Sequence, residues 1–234
     1  MPEARDAATL PEPTTRALVF AGSCIAVELI LLVVLALRIA AHVHFSQWQV
    51  PLAFLAGVVA ADFGSGLVHW GADTWGRADL PVIGPRLLRP FRVHHTNPDD
   101  FLRRRFLDTN GDVAAIVTLV LAGILVMPLE TQGQQLLGVA GLGLCAFGGW
   151  TNQIHQWAHM PSPPVPVRWC QSIGVFLRPV DHAAHHDLPY HGNYCITTGW
   201  CNRPLEAVRF FRRLEDAVTY LTGAVPREDE RQHA

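Results

Sequence analysis

ALVFAGSCIAVELILLVVLAL, residues 17–37, carries a single charged side chain, Glu28. A helix of that length rises about 30 Å, the thickness of a bilayer's hydrocarbon core. The stretch is therefore read as a membrane-spanning helix. Glu28 lies near its middle, where a carboxyl is costly and turns to the interior of a bundle. A hydrogen-bonded contact between helices is expected there in preference to a proton relay. Outward on the N-terminal side, residues 1–15 are polar and Pro-rich and are expected to be a disordered tail. They do not form a signal peptide with the apolar stretch, which is too long and lacks a small-residue cleavage site.

Three further apolar stretches come next along the chain: Val50 to about His69, Val113 to Leu129, and Leu136 to Trp150, the last continuing as one helix to His159. The second stretch contains Gly57, Gly64 and Gly66, which permit close helix packing, and Asp62, seven residues before His69 on the same face. Half of the 234 residues are hydrophobic and 16% are charged, against about a quarter in soluble domains; mean hydropathy is positive. The expected fold is an all-α polytopic membrane protein with about four transmembrane helices. Residues 16–222 are expected to form one membrane-embedded domain, and 223–234 a flexible tail. A net charge of −2 argues against nucleic-acid binding. Five Cys without a CxxC pair argue against a zinc ribbon, an iron–sulfur site or a disulfide framework and read as small core residues.

All 18 basic residues are Arg. The connection 70–112 holds Arg77, Arg86, Arg89, Arg92, Arg103, Arg104 and Arg105, while 38–49 and 130–135 hold only Arg38. The positive-inside rule makes 70–112 and both termini cytoplasmic. Arg92, Arg103 and Arg104 are expected to attract phosphate headgroups, although topology explains them equally well. Residues 165–178 read as an interfacial helix. From Pro204 an amphipathic helix is expected, capped by Asn202, with Leu205, Val208, Phe211, Leu214 and Val218 on one face.

Nine of the 12 histidines then fall on one side of the membrane. They are His69, His94, His95, His155, His159, His182, His185, His186 and His191; His42 and His44 fall on the other. His155 and His159 are spaced i, i+4, as are His69 and Asp73, so each pair can grip one metal, with Asp73 as ligand or as orienter of a ligand. His182, His185 and His186 share one helix face, and His191 is expected to fold back over it from a turn. The adjacent His94 and His95 point in different directions and suit two metals. Nine imidazoles exceed one ion's needs but suit two. HExxH and the Glu/Glu-x-x-His set of ferritin-like proteins are absent. A histidine-rich pair of metals at a membrane interface suits iron, O₂ and a lipid substrate.

FGSGLVHWGADTWG (63–76), RPFRVHHTNP (89–98), TNGD (109–112), TNQIHQWAH (151–159), HAAHH…H (182–191), CITTGW (195–200) and RRLED (212–216) resemble the Kua/plasmanylethanolamine desaturase family, which includes the bacterial CarF-type proteins. The likeness covers about residues 50–225. It implies a membrane desaturase with a histidine-bound di-iron centre. The enzyme would convert a 1-alkyl ether phospholipid, plasmanylethanolamine, to the 1-alkenyl plasmalogen. One O₂ would become two waters. Two electrons would come from the substrate and two from a donor of the cytochrome b5, ferredoxin or flavodoxin kind. The nine histidines are implied as ligands, with Asp73 and Asp181 behind them. The chain departs from the family pattern at RRRF (103–106), where animal members carry a histidine and an acidic residue, and at Asp181, where a basic residue or His is expected. Alternatives from the residues alone are a fatty-acyl desaturase or lipid hydroxylase, a hydrolytic zinc or manganese membrane enzyme, and a non-enzymatic metal sensor in light or oxidative-stress signalling.

Overall fold

A computed structural model describes residues 9–44, 47–187 and 190–227. Among them the chain is helical, with no strand. In order the helices are α1 (Thr15–His42), α2 (Gln49–Thr74), α3 (Arg89–Thr96), α4 (Pro98–Arg103), α5 (Phe106–Val126), α6 (Gln132–Gly148), α7 (Thr151–His159), α8 (Val165–Ser172), α9 (Pro179–His186), α10 (Asn202–Ala207) and α11 (Phe210–Thr222). A single wide π-turn, Gly84–Leu88, leads into α3. The expected tails fall largely outside the described residues, at 1–8 and 228–234.

Three helices are long and apolar enough to cross a membrane: α1, α2 and α5, with mean hydropathy 2.7, 1.6 and 1.9. α6 is apolar but has 17 residues, so the sequence expectation of four spans stands at three by length and composition. The expected single helix from Leu136 to His159 is interrupted at Gly148–Trp150. Trp150 N–H tightens onto Phe147 O at 3.2 Å, and Trp150 leaves helical geometry with ψ near 1°. Gly149 abuts the carboxyl of Glu28, which would collide with any Cβ there. Glu28 is thus a buried contact between α1 and the α6–α7 junction.

α2 packs along α6 and α1 along α5. Glycine sets how closely α2 and α6 pass: a Cβ at Gly57 would meet the Ala140 carbonyl, and one at Gly143 the Phe54 carbonyl. Small residues at such crossings let backbones approach in an apolar solvent, where packing replaces the hydrophobic effect. Leu35, Ile39, Val117, Leu121 and Val139 fill the seam. At one end of the bundle Gln132 donates to Gln47 Oε1 at 3.3 Å, and Arg38 bonds the last carbonyls of α5, Leu125 and Met127. His42 closes α1 at that same end. The ends of α2 and α7 that carry His69, His155 and His159 lie at the other end.

The segments after α7 fold over that second end. α8 stops at Ser172, short of the expected 178, because the chain turns at Gly174 with φ +74°. The C-terminal amphipathic helix is broken at Arg209, which adopts φ 52° and separates α10 from α11. Val208 is consequently 50% exposed, while Leu205, Phe211, Leu214 and Val218 pack around Trp70 and Tyr194. Asn202 does not cap a helix. Its side chain accepts from Cys195 N–H at 2.9 Å and donates to Cys195 O at 3.0 Å, pinning the loop before α10.

Candidate metal centre

Asp62 begins the site. It is fully buried in α2, about two turns before His69. Its two side-chain oxygens accept four backbone N–H groups. Thr197, Thr198 and Gly199 donate to Oδ1 at 3.2, 2.8 and 2.9 Å, and Cys201 to Oδ2 at 2.9 Å. Ser65 Oγ adds a bond from Ile196 N–H at 3.0 Å. The loop 190–201 is thereby strapped to α2. Its carbonyls then orient two imidazoles: His69 Nδ1 lies 3.1 Å from Tyr194 O and His185 Nδ1 2.7 Å from Gly192 O. A ring that gives its Nδ1–H to a carbonyl keeps Nε2 as a lone pair, the form a metal takes.

Eight of the nine sequence-predicted histidines come together, in two groups. His94, His155, His159, His182 and His186 form one; His69, Asp73, His95 and His185 form the other; within each, the donor atoms all lie within 4.8 Å of one another. Adjacent residues divide between them: His94 and His95, with ring centres 4.3 Å apart, go to different groups, as do His185 and His186. His95 and His186 face each other across the divide at 4.8 Å. Asp73 sits among nitrogens, its Oδ2 at 3.3 Å from His69 Nε2, 3.2 Å from His95 Nε2 and 3.5 Å from His185 Nε2. His191 is exposed and in neither group. Asp181 is also outside them and pairs with Arg178 at 2.6 and 2.8 Å.

The five-histidine group has its Nε2 atoms turned inward. His182 Nε2 is 2.9 Å from His155 Nε2, 2.7 Å from His159 Nε2 and 3.1 Å from His186 Nε2. Each neutral imidazole has only one N–H, so these contacts cannot all be hydrogen bonds at once. His94 Nε2 is buried with no hydrogen-bond partner at all. Burial, then the neighbouring imidazoles, holds His94, His155 and His182 well below the usual histidine pKa. The same causes bring His159 to about 4 and His186 to about 2. The rings are therefore neutral at physiological pH, and their lone pairs are available. Converging neutral imidazoles are costly unless a cation accepts those lone pairs. Either group can hold a metal ion.

Each of the three arginines expected to meet headgroups has partners within the protein, although the Arg103 side chain stays 61% exposed. Arg92 donates to the carbonyls of Trp75 and Gly76, each at 2.9 Å, tying α3 to the end of α2. Arg103 and Arg104 pair with the buried Asp100, and Arg104 also bonds Leu10 O and Pro11 O. Buried Asp100 attracts the guanidiniums more strongly than a headgroup in water would. Asp62 as a loop anchor escapes sequence reasoning, although a carboxyl in an apolar helix signals a buried polar contact. Glu215 escapes it too; this side chain accepts from Trp70 Nε1 at 2.9 Å and from Arg212 at 2.5 Å.

The family described as the lipid desaturase domain matches residues 58–229. The plasmanylethanolamine desaturase of Myxococcus xanthus is 42% identical over 190 residues, covering 80% of this chain and 66% of that protein. Plasmanylethanolamine desaturase 1 of Mus musculus is 41% identical over 218 residues, covering 86% and 80%. Fatty acid desaturase 4-like 1, chloroplastic, of Arabidopsis thaliana is 33% identical over 183 residues, covering 76% and 60%. The chain thus spans about two thirds of the bacterial relative's length. No solved structure matches. With residues 58–229 matched and both donor groups inside them, the chain belongs to the lipid desaturase family.

Proposed function

We propose that this protein is an O₂-dependent membrane desaturase that forms the vinyl-ether bond of plasmalogens from a 1-alkyl ether phospholipid. The observation that carries the reading is the pair of neighbouring donor groups at one end of an apolar bundle. The names of the bacterial and mouse relatives, at 42% and 41% identity, supply the substrate. His94, His155, His159, His182 and His186 would hold one iron; His69, Asp73, His95 and His185 would hold the other. Imidazole with one carboxylate is a donor set that iron accepts, and the unpartnered His94 Nε2 fits it.

The two irons, when bound, supply the reduction of O₂. Overall, the alkyl chain loses one hydrogen from C1 and one from C2, and O₂ with two electrons and two protons from outside becomes two waters. The chain's own residues do the rest. Asp62 and Ser65 hold the loop 190–201 still, and Tyr194 O and Gly192 O fix the tautomers of His69 and His185. Phe91 and Phe101, against His69 and His94, keep water from the rings. The electron donor would be a cytochrome b5-like, ferredoxin or flavodoxin protein docking on the cytoplasmic side.

α6 would serve as the fourth span, since it lies along α2. The arginine-rich connection supports a cytoplasmic centre, with both termini on that side, and residues 16–222 as a single domain. Expression in cells that make no plasmalogen, fed an alkylglycerol, should yield acid-labile vinyl-ether phospholipid by mass spectrometry. The variant His155→Ala should be membrane-inserted yet yield none. Vinyl ether from that variant at the wild-type level sinks the ligand assignment, and none from the intact chain with a donor supplied sinks the reaction. A second reading, desaturation of an ester-linked acyl chain, is favoured by the 33% identity to a fatty acid desaturase. A new acyl double bond in the same lipid extract would establish it.

A further inference from the structure

One side of the five-histidine group opens into a cavity of about 780 Å³, within the range of small-molecule sites. His159, His182 and His186 line it, and so do Arg168 and Gln171 of α8. We propose that this cavity seats the glycerol-phosphate portion of a phospholipid, with Arg168 and Gln171 gripping the phosphate. The substrate class rests on the desaturase reading; the anion site rests on the state of these two side chains and on the setting of α8.

Arg168 is exposed, and among the described residues its side chain has no ion pair or hydrogen bond. Arg178, on the same cavity, is by contrast held by Asp181. Gln171 is 5% exposed, and its amide nitrogen has no hydrogen-bond partner. A buried amide without a partner is costly, and an acceptor on a ligand relieves it. The two residues are spaced i, i+3 on α8, so they share a side of it. A guanidinium beside an amide donor is a donor set that phosphate accepts.

α8 also sets the depth. Val165, Trp169 and Ile173, spaced by four, are 67%, 63% and 52% exposed. An apolar stripe with Trp beside an Arg is the signature of a helix lying at the headgroup level. Phosphates of the bilayer lie at that level, so a lipid reaches the cavity without leaving the membrane. The lipid's own length fits too. Six covalent bonds separate phosphorus from the first alkyl carbon of a 1-alkyl lipid, roughly 7 Å extended at ordinary bond lengths. A phosphate held at Arg168 would thus let C1 reach up to roughly 7 Å from it, into the cavity that His159, His182 and His186 also line.

The test is photolabelling of the full chain in nanodiscs. The probe is a 1-alkyl glycerophospholipid with a diazirine beside the ether, and its partner is the same lipid lacking phosphate. We expect the phospholipid to label the segments of α7 and α9 that line the cavity. Arg168→Gln should lower that labelling about fivefold, the effect of one arginine at a membrane surface, while Arg168→Lys keeps most of it. Gln171→Leu should lower it as well. Labelling by the phosphate-free lipid should be weak and indifferent to both changes. Equal labelling of wild type, Arg168→Gln and Gln171→Leu overturns the proposal, provided their unfolding temperatures agree. Equal loss with the phosphate-free lipid overturns it too. Displacement by millimolar inorganic phosphate would make this a free-anion site and likewise end the lipid assignment. Arg168-dependent labelling without vinyl-ether product supports the seat and sinks only the desaturase reading.

Discussion

Replacing Asp62 isolates the strap that holds the centre's loop. Its side chain accepts four backbone N–H groups at 2.8–3.2 Å, and it is wholly buried. Removing one partner of a buried hydrogen bond costs about 1–3 kcal/mol. Asp62→Ala strands four donors, so the low end of that range gives a loss of at least about 4 kcal/mol. Asp62→Asn is isosteric. Its remaining oxygen can keep the Thr197, Thr198 and Gly199 bonds, while its amide nitrogen meets the Cys201 N–H donor to donor. One bond is lost, about 1–3 kcal/mol. For a domain near 200 residues, each kcal/mol moves the unfolding temperature about 2–4 °C. Asp62→Ala should therefore lower it by about 10 °C or more, and Asp62→Asn by roughly a quarter as much. Thermal unfolding in nanodiscs reads both. Iron analysis reads the consequence. Tyr194 O and Gly192 O, which orient His69 and His185, lie on the loop that Asp62 straps. The His69, Asp73, His95 and His185 group should lose its metal first, so iron per chain should drop before the fold does. An Asp62→Ala protein as stable as wild type, with iron unchanged, would refute the role.

Asp73→Asn should cut metal retention in that same group about 10- to 100-fold, because the neutral amide removes the one anionic donor among three imidazoles; equilibrium dialysis against a chelator measures it. In metal-free protein, acidification should destabilise the fold. His159 and His186 have folded pKa values of about 4 and about 2 against an ordinary 6.5, so between those values the unfolded chain binds protons that the folded chain refuses. Their stabilising effect is full above about pH 6.5 and is lost as pH falls toward 4 for His159 and toward 2 for His186. The unfolding temperature of chelator-treated protein should drop between pH 7.5 and 5, and His159→Gln should flatten that drop.

Much of this was legible in the sequence because it rests on periodicity. Apolar runs of about twenty residues announce α1, α2 and α5, and the i, i+4 spacings of His155 with His159 and His182 with His186 survive as shared donor groups. The features that escaped depend on long-range partners. Nothing local says that Arg92 bonds the carbonyls ending α2, or that Arg104 meets Asp100 and the N-terminal backbone at Leu10. Loop geometry escaped as well: His191 shares a stretch with His182, His185 and His186, yet Tyr190 and Asn193 adopt φ near +60° around it, and its ring ends exposed. The C-terminal helix was legible as amphipathic, but its break at Arg209 was not, because arginine carries no turn signal.

The division of adjacent histidines explains why two donor groups form where the sequence shows one crowd. Neighbouring residues on a helix point about 100° apart, so His94 and His95, and likewise His185 and His186, cannot serve one ion together. α3 lends one imidazole to either side, and α9 lends His182 and His186 to one group and His185 to the other. Neither group can then shift without moving the other, because each of these helices is a wall of both. α2 completes the arrangement along a single stripe: Asp62, His69 and Asp73 stand at intervals of seven and four, which return to the same face. One face of one helix thus carries the anchor of the loop, an imidazole oriented by that loop, and the carboxyl between three rings. Lengthening α2 by one residue between Asp62 and His69 would turn His69 about 100° away from Asp62's face, separating anchor from ligand while leaving the span apolar. Such an insertion should keep the protein in the membrane and abolish metal in the Asp73 group; metal retained there at the wild-type level would show that the stripe is incidental.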